Sequence, residues 1–161
     1  MSNLKFCLER RKAELPAFVK VLRAVPQGGR DYRPDPKART AAELAWMLAA
    51  EETSLLALLD TGTIDWKEEP PPTSVDQIVT SFERSAASIN ERLAKLDEAD
   101  WQKNGRFLMG GAEVWKDSVG NMFWGMLFDA IHHRGQLSTY LRPMGSKVPS
   151  IYGPSADDSG Q

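Results

Sequence analysis

The chain has few of the residues that usually mark disulfide scaffolds and metal sites. Its 161 residues include one cysteine, Cys7, and two histidines, His132 and His133. A single cysteine excludes an internal disulfide and fits a reducing compartment. CxxC motifs and glycine-rich phosphate loops are also absent, so the common redox, zinc and nucleotide signatures are not available to this protein. We expect Cys7 to be a small buried core residue.

Long apolar runs and a strong net charge are missing as well. No stretch approaches the ~18 apolar residues of a membrane span. The N-terminal MSNLKFCLERRKAELP carries charges where a signal peptide needs an apolar stretch. The formal net charge is -2, so no overall field favours nucleic acid or anionic lipid. We therefore expect one soluble cytoplasmic domain over residues 1–161 that binds neither nucleic acid nor membrane.

Helical periodicity is the pattern that dominates the chain. The second and third helical segments open with capping-box patterns, Thr40 with Glu43 and Ser74 with Gln77. The apolar connection before the fourth shows no alternation that would predict a sheet. The pattern predicts an all-α four-helix bundle with a long crossover connection, and a flexible tail over about 153–161. The four segments lie near residues 3–24, 40–61, 74–96 and 118–142.

The fourth helix carries the residues that suggest chemistry. Asp129 and His133 are spaced i, i+4 and lie one turn apart, whereas His132 points to another side of the helix. Such a pair can bind one metal ion, or the carboxylate can orient the imidazole as a general base. It can equally be a buried structural pair, because burying either group alone is costly. With no third histidine, a further ligand must be a carboxylate, and Glu51 and Glu52 are the candidates.

The segments HHRGQLSTYLRPMG, VPSIYGPSADD and ELAWMLAAEE together resemble the DinB/YfiT-like superfamily of metalloenzymes. The resemblance extends over essentially the whole chain, and HRGQ is its most specific part. It implies an up-up-down-down four-helix bundle, commonly a homodimer, that binds a divalent metal through three histidines, with nickel or zinc typical. Some relatives are thiol-dependent S-transferases or maleylpyruvate isomerase-like enzymes, and many have no assigned activity.

Carried over position by position, the family's three histidines fall on Met47, Asp129 and His133. Methionine is a poor ligand for Zn²⁺ or Ni²⁺. Glu51 lies one turn past Met47 and could replace it. The resulting set of Glu51, Asp129 and His133 is harder than three imidazoles and shifts preference toward Mn²⁺, Fe²⁺ or Zn²⁺. The alternative is that this branch has lost its metal and that Met47 packs over His133.

Two functions remain open from the sequence. The first is a non-catalytic dimeric bundle with a degenerate metal site. The second is a hydrolase or thiol S-transferase for a small molecule, in which a Ni, Zn, Mn or Fe ion lowers the pKa of water or a thiol. Aromatic residues at helical spacing also fit a core, so the pocket candidates have a structural interpretation too. The candidates for a small-molecule pocket are Trp46, Met47, Met126, Arg134 and Tyr140.

Overall fold

The computed structural model describes residues 1–160 and contains five α-helices and three strands. The helices are α1 (Asn3–Arg23), α2 (Ala41–Thr61), α3 (Val75–Leu93), α4 (Glu98–Gln102) and α5 (Val119–Tyr140). The strands are β1 (Thr63–Trp66), β2 (Asn104–Met109) and β3 (Ala112–Ser118). The four long helices pack side by side, with α1 and α2 each in contact with both α3 and α5. Gln161, the last residue of the tail predicted to be flexible, lies outside the described residues.

The expectation of an all-α bundle is wrong, because the chain also forms a mixed three-stranded sheet. β1 pairs in parallel with β2, and β2 pairs antiparallel with β3. The β2–β3 hairpin turns at Gly110 and Gly111, whose φ angles are +59° and +83°. Glycine adopts these angles without steric cost and closes a two-residue hairpin. The apolar connection before the fourth long helix, for which the sequence predicts no sheet, is therefore mostly a hairpin.

The sheet lies against the end of the helices where α2 stops. Gly62 ends α2 in the left-handed region, at φ +70°, and donates its amide to the carbonyl of Leu58. Gly105 in β2 has no side chain where a Cβ would approach Leu58 within 2.6 Å and Met122 within 2.7 Å. The strand can therefore lie directly on α2 and α5. A glycine inside a strand often lies where two backbones or a backbone and a helix pack closely, as here.

Capping explains how two of the long helices begin. The capping box at the start of α2 is confirmed: Thr40 accepts from the Glu43 amide, and Glu43 accepts from the Thr40 amide. The box predicted at Ser74 is wrong, because its side chain makes no capping hydrogen bond. The amide of Val75 instead donates to Oε1 of Gln27, at 2.9 Å. A residue from a distant loop thus satisfies the helix terminus, which local sequence cannot reveal.

The apolar core divides into two clusters with buried charged residues between them along the helices. One cluster includes Phe18, Leu22, Leu48, Phe82 and Leu137. The other includes Leu58, Ile64, Ile89, Trp101 and Phe123. Cys7 is fully buried in this second cluster, as expected, and burial raises the pKa of its thiol to about 11.

Among the helices of residues 1–160, none has the length and the apolar character of a membrane span.

Arg134 is a buried cation that connects α5 to α1 and to the segment after α5. Its guanidinium donates to Glu14 at 2.8 Å and to the hydroxyl of Tyr152 at 2.5 Å. It also lies over the rings of Phe18 and Tyr152, at 4.6 and 5.1 Å from their centroids. Burial alone would raise the pKa of Glu14. Hydrogen bonds from Arg134 and Tyr152, with the charge of Arg134, outweigh burial and hold that pKa below its ordinary value of 4.5.

The substitution Glu14→Gln tests how much this network contributes to the free energy of unfolding. We expect it to lower the free energy of unfolding at neutral pH by about 3 kcal/mol, because Arg134 loses its buried counter-charge. A depressed folded-state pKa stabilises the fold above pH 4.5, and this contribution is lost as the pH falls through the folded-state value. The difference between variant and wild type, measured by urea unfolding, should therefore shrink in acid.

Glu83→Gln is the matched control, since Glu83 forms an exposed ion pair with Arg23 at 3.0 Å. Exposed pairs contribute little, so its effect should stay below about 1 kcal/mol at every pH. An equal destabilisation by the two substitutions would contradict the importance assigned to Glu14.

Candidate metal centre

Two adjacent carboxylates lie buried in the middle of α2, and their surroundings differ. Glu51 is 3% exposed and Glu52 is 6% exposed. Glu52 accepts a hydrogen bond from the buried guanidinium of Arg11, which forms an ion pair with it. Oε2 of Glu51 is buried and has no hydrogen-bond partner among residues 1–160. A buried carboxylate oxygen without a partner is costly and calls for a proton or a cation.

The structure brings together the three residues predicted as metal ligands. Glu51 on α2 and Asp129 and His133 on α5 each offer one ligand atom, and these atoms all lie within 4.8 Å of one another. Among the described residues this is the one such group of three or more His, Cys, Asp or Glu side chains. The two helices pack against each other, so a buried donor of one helix faces two donors of the other.

The donors on α5 lie at the edge of the core. Nε2 of His133 is 3.4 Å from Oδ2 of Asp129. Two ligand bonds of ~2.1 Å at a tetrahedral angle span about this distance. The Asp129 side chain is 54% exposed and that of His133 is 19% exposed. The site is therefore open to solvent on the α5 side and closed on the α2 side, where Glu51 lies.

Gln136, one turn after His133, also belongs to this site, although it is absent from the ligands and pocket residues that the sequence predicts. Its Oε1 lies 2.8 Å from Nδ1 of His133. An amide oxygen only accepts hydrogen bonds, so in the neutral ring Nδ1 carries the proton and Nε2 is left to bind a ligand. The signal was present in the sequence, because Gln136 belongs to the HRGQ stretch. Ligating histidines usually donate their second N–H to such an acceptor.

Burial and neighbouring carboxylates both act on the charge of Glu51. Burial first, and then the charge and hydrogen bond of Asp129 and the charge of Glu52, together raise the pKa of Glu51 to about 9. Without a cation, Glu51 is therefore protonated at neutral pH. Nε2 of His133 and Oδ2 of Asp129 also face each other, at 3.4 Å. Three acceptors converge, so the residues present fit a divalent cation.

The residues predicted to line a small-molecule pocket lie in several different surroundings. Trp46 and Met47 line a groove between α2 and residues 66–71. Met126 is buried in the core cluster that contains Phe123. Tyr140 donates its hydroxyl to the carbonyl of Arg39, at 3.3 Å. Arg134 belongs to the network with Glu14 described above.

The two histidines have different surroundings. The ring centroids of His132 and His133 are 5.2 Å apart, in an edge-on arrangement. His132 is exposed and contributes no atom to the ligand group. It is therefore a suitable control for His133, since it offers the same side chain on the same turn of α5.

Solved structures of other proteins share the fold of this chain. In the solved structures, a DinB-like protein of Bacillus cereus ATCC 10987 superposes with a TM-score of 0.75 at 20% identity, covering 91% of this chain and 95% of that one. The DinB-like protein YjoA of Bacillus subtilis gives a TM-score of 0.70 at 15% identity, over 90% and 96%. A protein of Exiguobacterium sibiricum 255-15, assigned to the DinB family, gives 0.64 at 20% identity, over 98% of each chain.

At these identities the likeness to solved structures is a likeness of fold. Functionally curated proteins give no match to the chain. The sequence pattern of the DinB superfamily matches residues 11–137, which contain α2, α3 and the sheet in full and most of α1 and α5. The chain therefore belongs to the DinB superfamily.

Proposed function

We propose that this DinB-superfamily protein binds one divalent cation through Glu51, Asp129 and His133. The observation that carries the proposal is the convergence of their three ligand atoms within 4.8 Å, with one buried oxygen of Glu51 left without a partner. Two carboxylates and one imidazole favour Mn²⁺, Fe²⁺ or Zn²⁺. Met47 occupies the position of a family histidine, and Glu51 takes its place as the ligand from α2.

Each ligand has a distinct part in holding the ion. Glu51 supplies the buried donor, whose position is fixed by the surrounding core. Asp129 supplies a solvent-facing donor, and its side chain is 54% exposed. His133 supplies Nε2, because Nδ1 is engaged by Gln136 at 2.8 Å. A buried anchor with two donors at the rim lets an ion enter from solvent.

A catalytic role is the second candidate. The half-exposed Asp129 favours it, because three protein ligands at an open rim leave coordination positions for a further molecule. When bound, the ion would supply Lewis-acid activation of water or a thiol, as a hydrolase or thiol S-transferase requires. The residues of this chain would bind and orient the ion at the rim.

The purely structural alternative has less support. A buried Asp–His pair stabilises a core because each group satisfies the other. Asp129 is more than half exposed, so water already solvates it and it does not depend on His133. Oε2 of Glu51 is buried without a partner, which a structural pair of Asp129 and His133 leaves unexplained.

Metal binding is tested on untagged protein freed of metal with EDTA and titrated with Mn²⁺, Zn²⁺ or Ni²⁺ by calorimetry. We expect one ion per chain and a higher melting temperature, since a saturating ligand at ~100 times its Kd stabilises the fold by ~2.7 kcal/mol. Glu51→Gln, Asp129→Asn and His133→Ala should each weaken binding at least tenfold, by about 1.4 kcal/mol. His132→Ala should bind as the wild type does.

The absence of stoichiometric binding for all three ions would overturn this proposal. Equal losses of metal affinity in His132→Ala and His133→Ala would also overturn it, because His133 would then contribute no more to metal binding than its exposed neighbour. Circular dichroism of each metal-free variant separates a lost ligand from a lost fold.

The role of Gln136 is tested by ¹⁵N NMR of the histidine side chains in metal-free protein. We expect neutral His133 to carry its proton on Nδ1, because the amide oxygen of Gln136 accepts it. Gln136→Ala should shift His133 toward the Nε2–H form and weaken metal binding by about 10–100-fold. Gln77→Ala, at an exposed position of α3, is the control and should change neither the tautomer of His133 nor the affinity for metal. An Nε2–H form in the wild type would contradict this assignment.

A further inference from the structure

A groove on the outer face of α2 lies beside the ligand group but shares no residue with it. It has a volume of about 240 Å³ and lies between α2 and the connection that follows β1. Ala50, the residue before Glu51, forms part of its α2 side. Its lining residues are Arg39, Glu43, Trp46, Met47, Ala50 and residues 66–71.

Two tryptophans border this groove from different elements. Trp46 belongs to α2, and Trp66 ends β1. The indole of Trp66 stacks on Phe107, with ring centroids 6.2 Å apart and 23° between planes, so its orientation is fixed from behind. Nε1 of Trp46 is buried and has no hydrogen-bond partner among residues 1–160, so this indole presents no N–H group to the groove. The groove therefore has a tryptophan on each of its two sides.

The charged side chains around the groove do not cancel. Arg39 forms an ion pair with Glu68, and Lys67 forms one with Asp65 at 3.2 Å. Once these pairs are set aside, the groove keeps the carboxylates of Glu43 and Glu69 and no unpaired cation among its lining residues. The remaining charge is negative, beside two indole rings.

Glu43 is a fixed anion of this set. The backbone hydrogen bond from Thr40 is the main reason why the pKa of Glu43 lies below its ordinary value, although burial opposes this. One of its oxygens accepts that amide, at 2.7 Å. The capping box that starts α2 therefore also holds a negative charge at the groove.

We propose that this groove binds a small organic cation, an ammonium group on an apolar or aromatic body. Indole faces attract cations through their quadrupole, and ammonium ligands are recognised by aromatic side chains with nearby carboxylates. An organic anion fits poorly, because both cations of the groove already have carboxylate partners. The inference goes beyond the proposed metal site, since Glu51, Asp129 and His133 do not line the groove.

The groove also indicates the size of its ligand. At about 240 Å³ it is smaller than the ~300–1,000 Å³ of most drug-sized sites, so it suits a single-ring amine or a compact quaternary ammonium. A second groove, of about 350 Å³, lies against the same two tryptophans and Lys67. A longer substituent on the amine therefore has room to continue past Trp66.

The test is a titration of metal-free protein in EDTA with three probes of similar size: 2-phenylethylamine, 2-phenylethanol and 3-phenylpropionate. Tryptophan fluorescence and calorimetry report binding. We expect the amine to bind at millimolar concentrations or below, and the alcohol and the carboxylate to bind at least tenfold more weakly. Benzyltrimethylammonium should bind as the amine does, because the attraction is to the charge and needs no N–H donor.

Two variants locate the site. Glu69→Gln should weaken amine binding about threefold or more, whereas Glu113→Gln, which removes the same charge from the exposed hairpin, should leave it unchanged. Trp66→Phe should weaken binding too, since phenylalanine attracts cations less than tryptophan does. Circular dichroism checks that each variant is folded.

Three results would overturn the proposal: no amine binding at millimolar concentrations, equal binding of amine and carboxylate, or equal effects of Glu69→Gln and Glu113→Gln. His133→Ala separates this proposal from the metal site. It should abolish tight metal binding and leave amine binding intact, so either proposal can fail while the other stands.

Discussion

The burial of two adjacent carboxylates in the middle of α2 constrains much of this protein. Glu51 and Glu52 are both buried, and placing a carboxylate in a core costs several kcal/mol unless a cation compensates it. Glu52 has that cation in Arg11, which attaches α1 to α2. Glu51 has none among the described residues and faces Asp129 and His133 instead. One carboxylate thus joins two helices, and the other is left available for a ligand.

Helix α5 shows the same division between charged groups that stabilise the fold and charged groups of the candidate site. Arg134 directly follows His133 in sequence, yet it is buried against Glu14 and Tyr152 and serves the fold. His133 lies at the rim with Asp129. Adjacent residues of α5 point in directions about 100° apart, so one helix supports the core on one side and a ligand group on another. A motif such as HHRGQ therefore combines a residue that supports the fold and a residue of the candidate site within a single turn.

The sheet decides what lies around α2. β1 follows Gly62 directly and places Trp66 opposite Trp46, across the groove. The three prolines after Glu69 keep the connection extended as it returns toward α3. β2 and β3 hold β1 in place and supply Phe107, on which Trp66 stacks. Without the sheet, the outer face of α2 would be an ordinary solvent-exposed helix surface.

The sequence by itself determined the four long helices, the cap at Thr40 and the pairing of Asp129 with His133, whereas Glu51 was chosen over Glu52 through the resemblance to the DinB family. The first three follow from periodicity, local hydrogen bonds and i, i+4 spacing, which act over one or two helical turns. Tertiary structure decided the sheet, because β1 pairs with a strand about forty residues later, a contact that no local pattern encodes. Tertiary structure also decided the cap of α3 by Gln27, the exposure of Asp129 and the lack of a partner for Oε2 of Glu51. Each of these depends on which residues from distant parts of the chain pack beside the group when the helices come together.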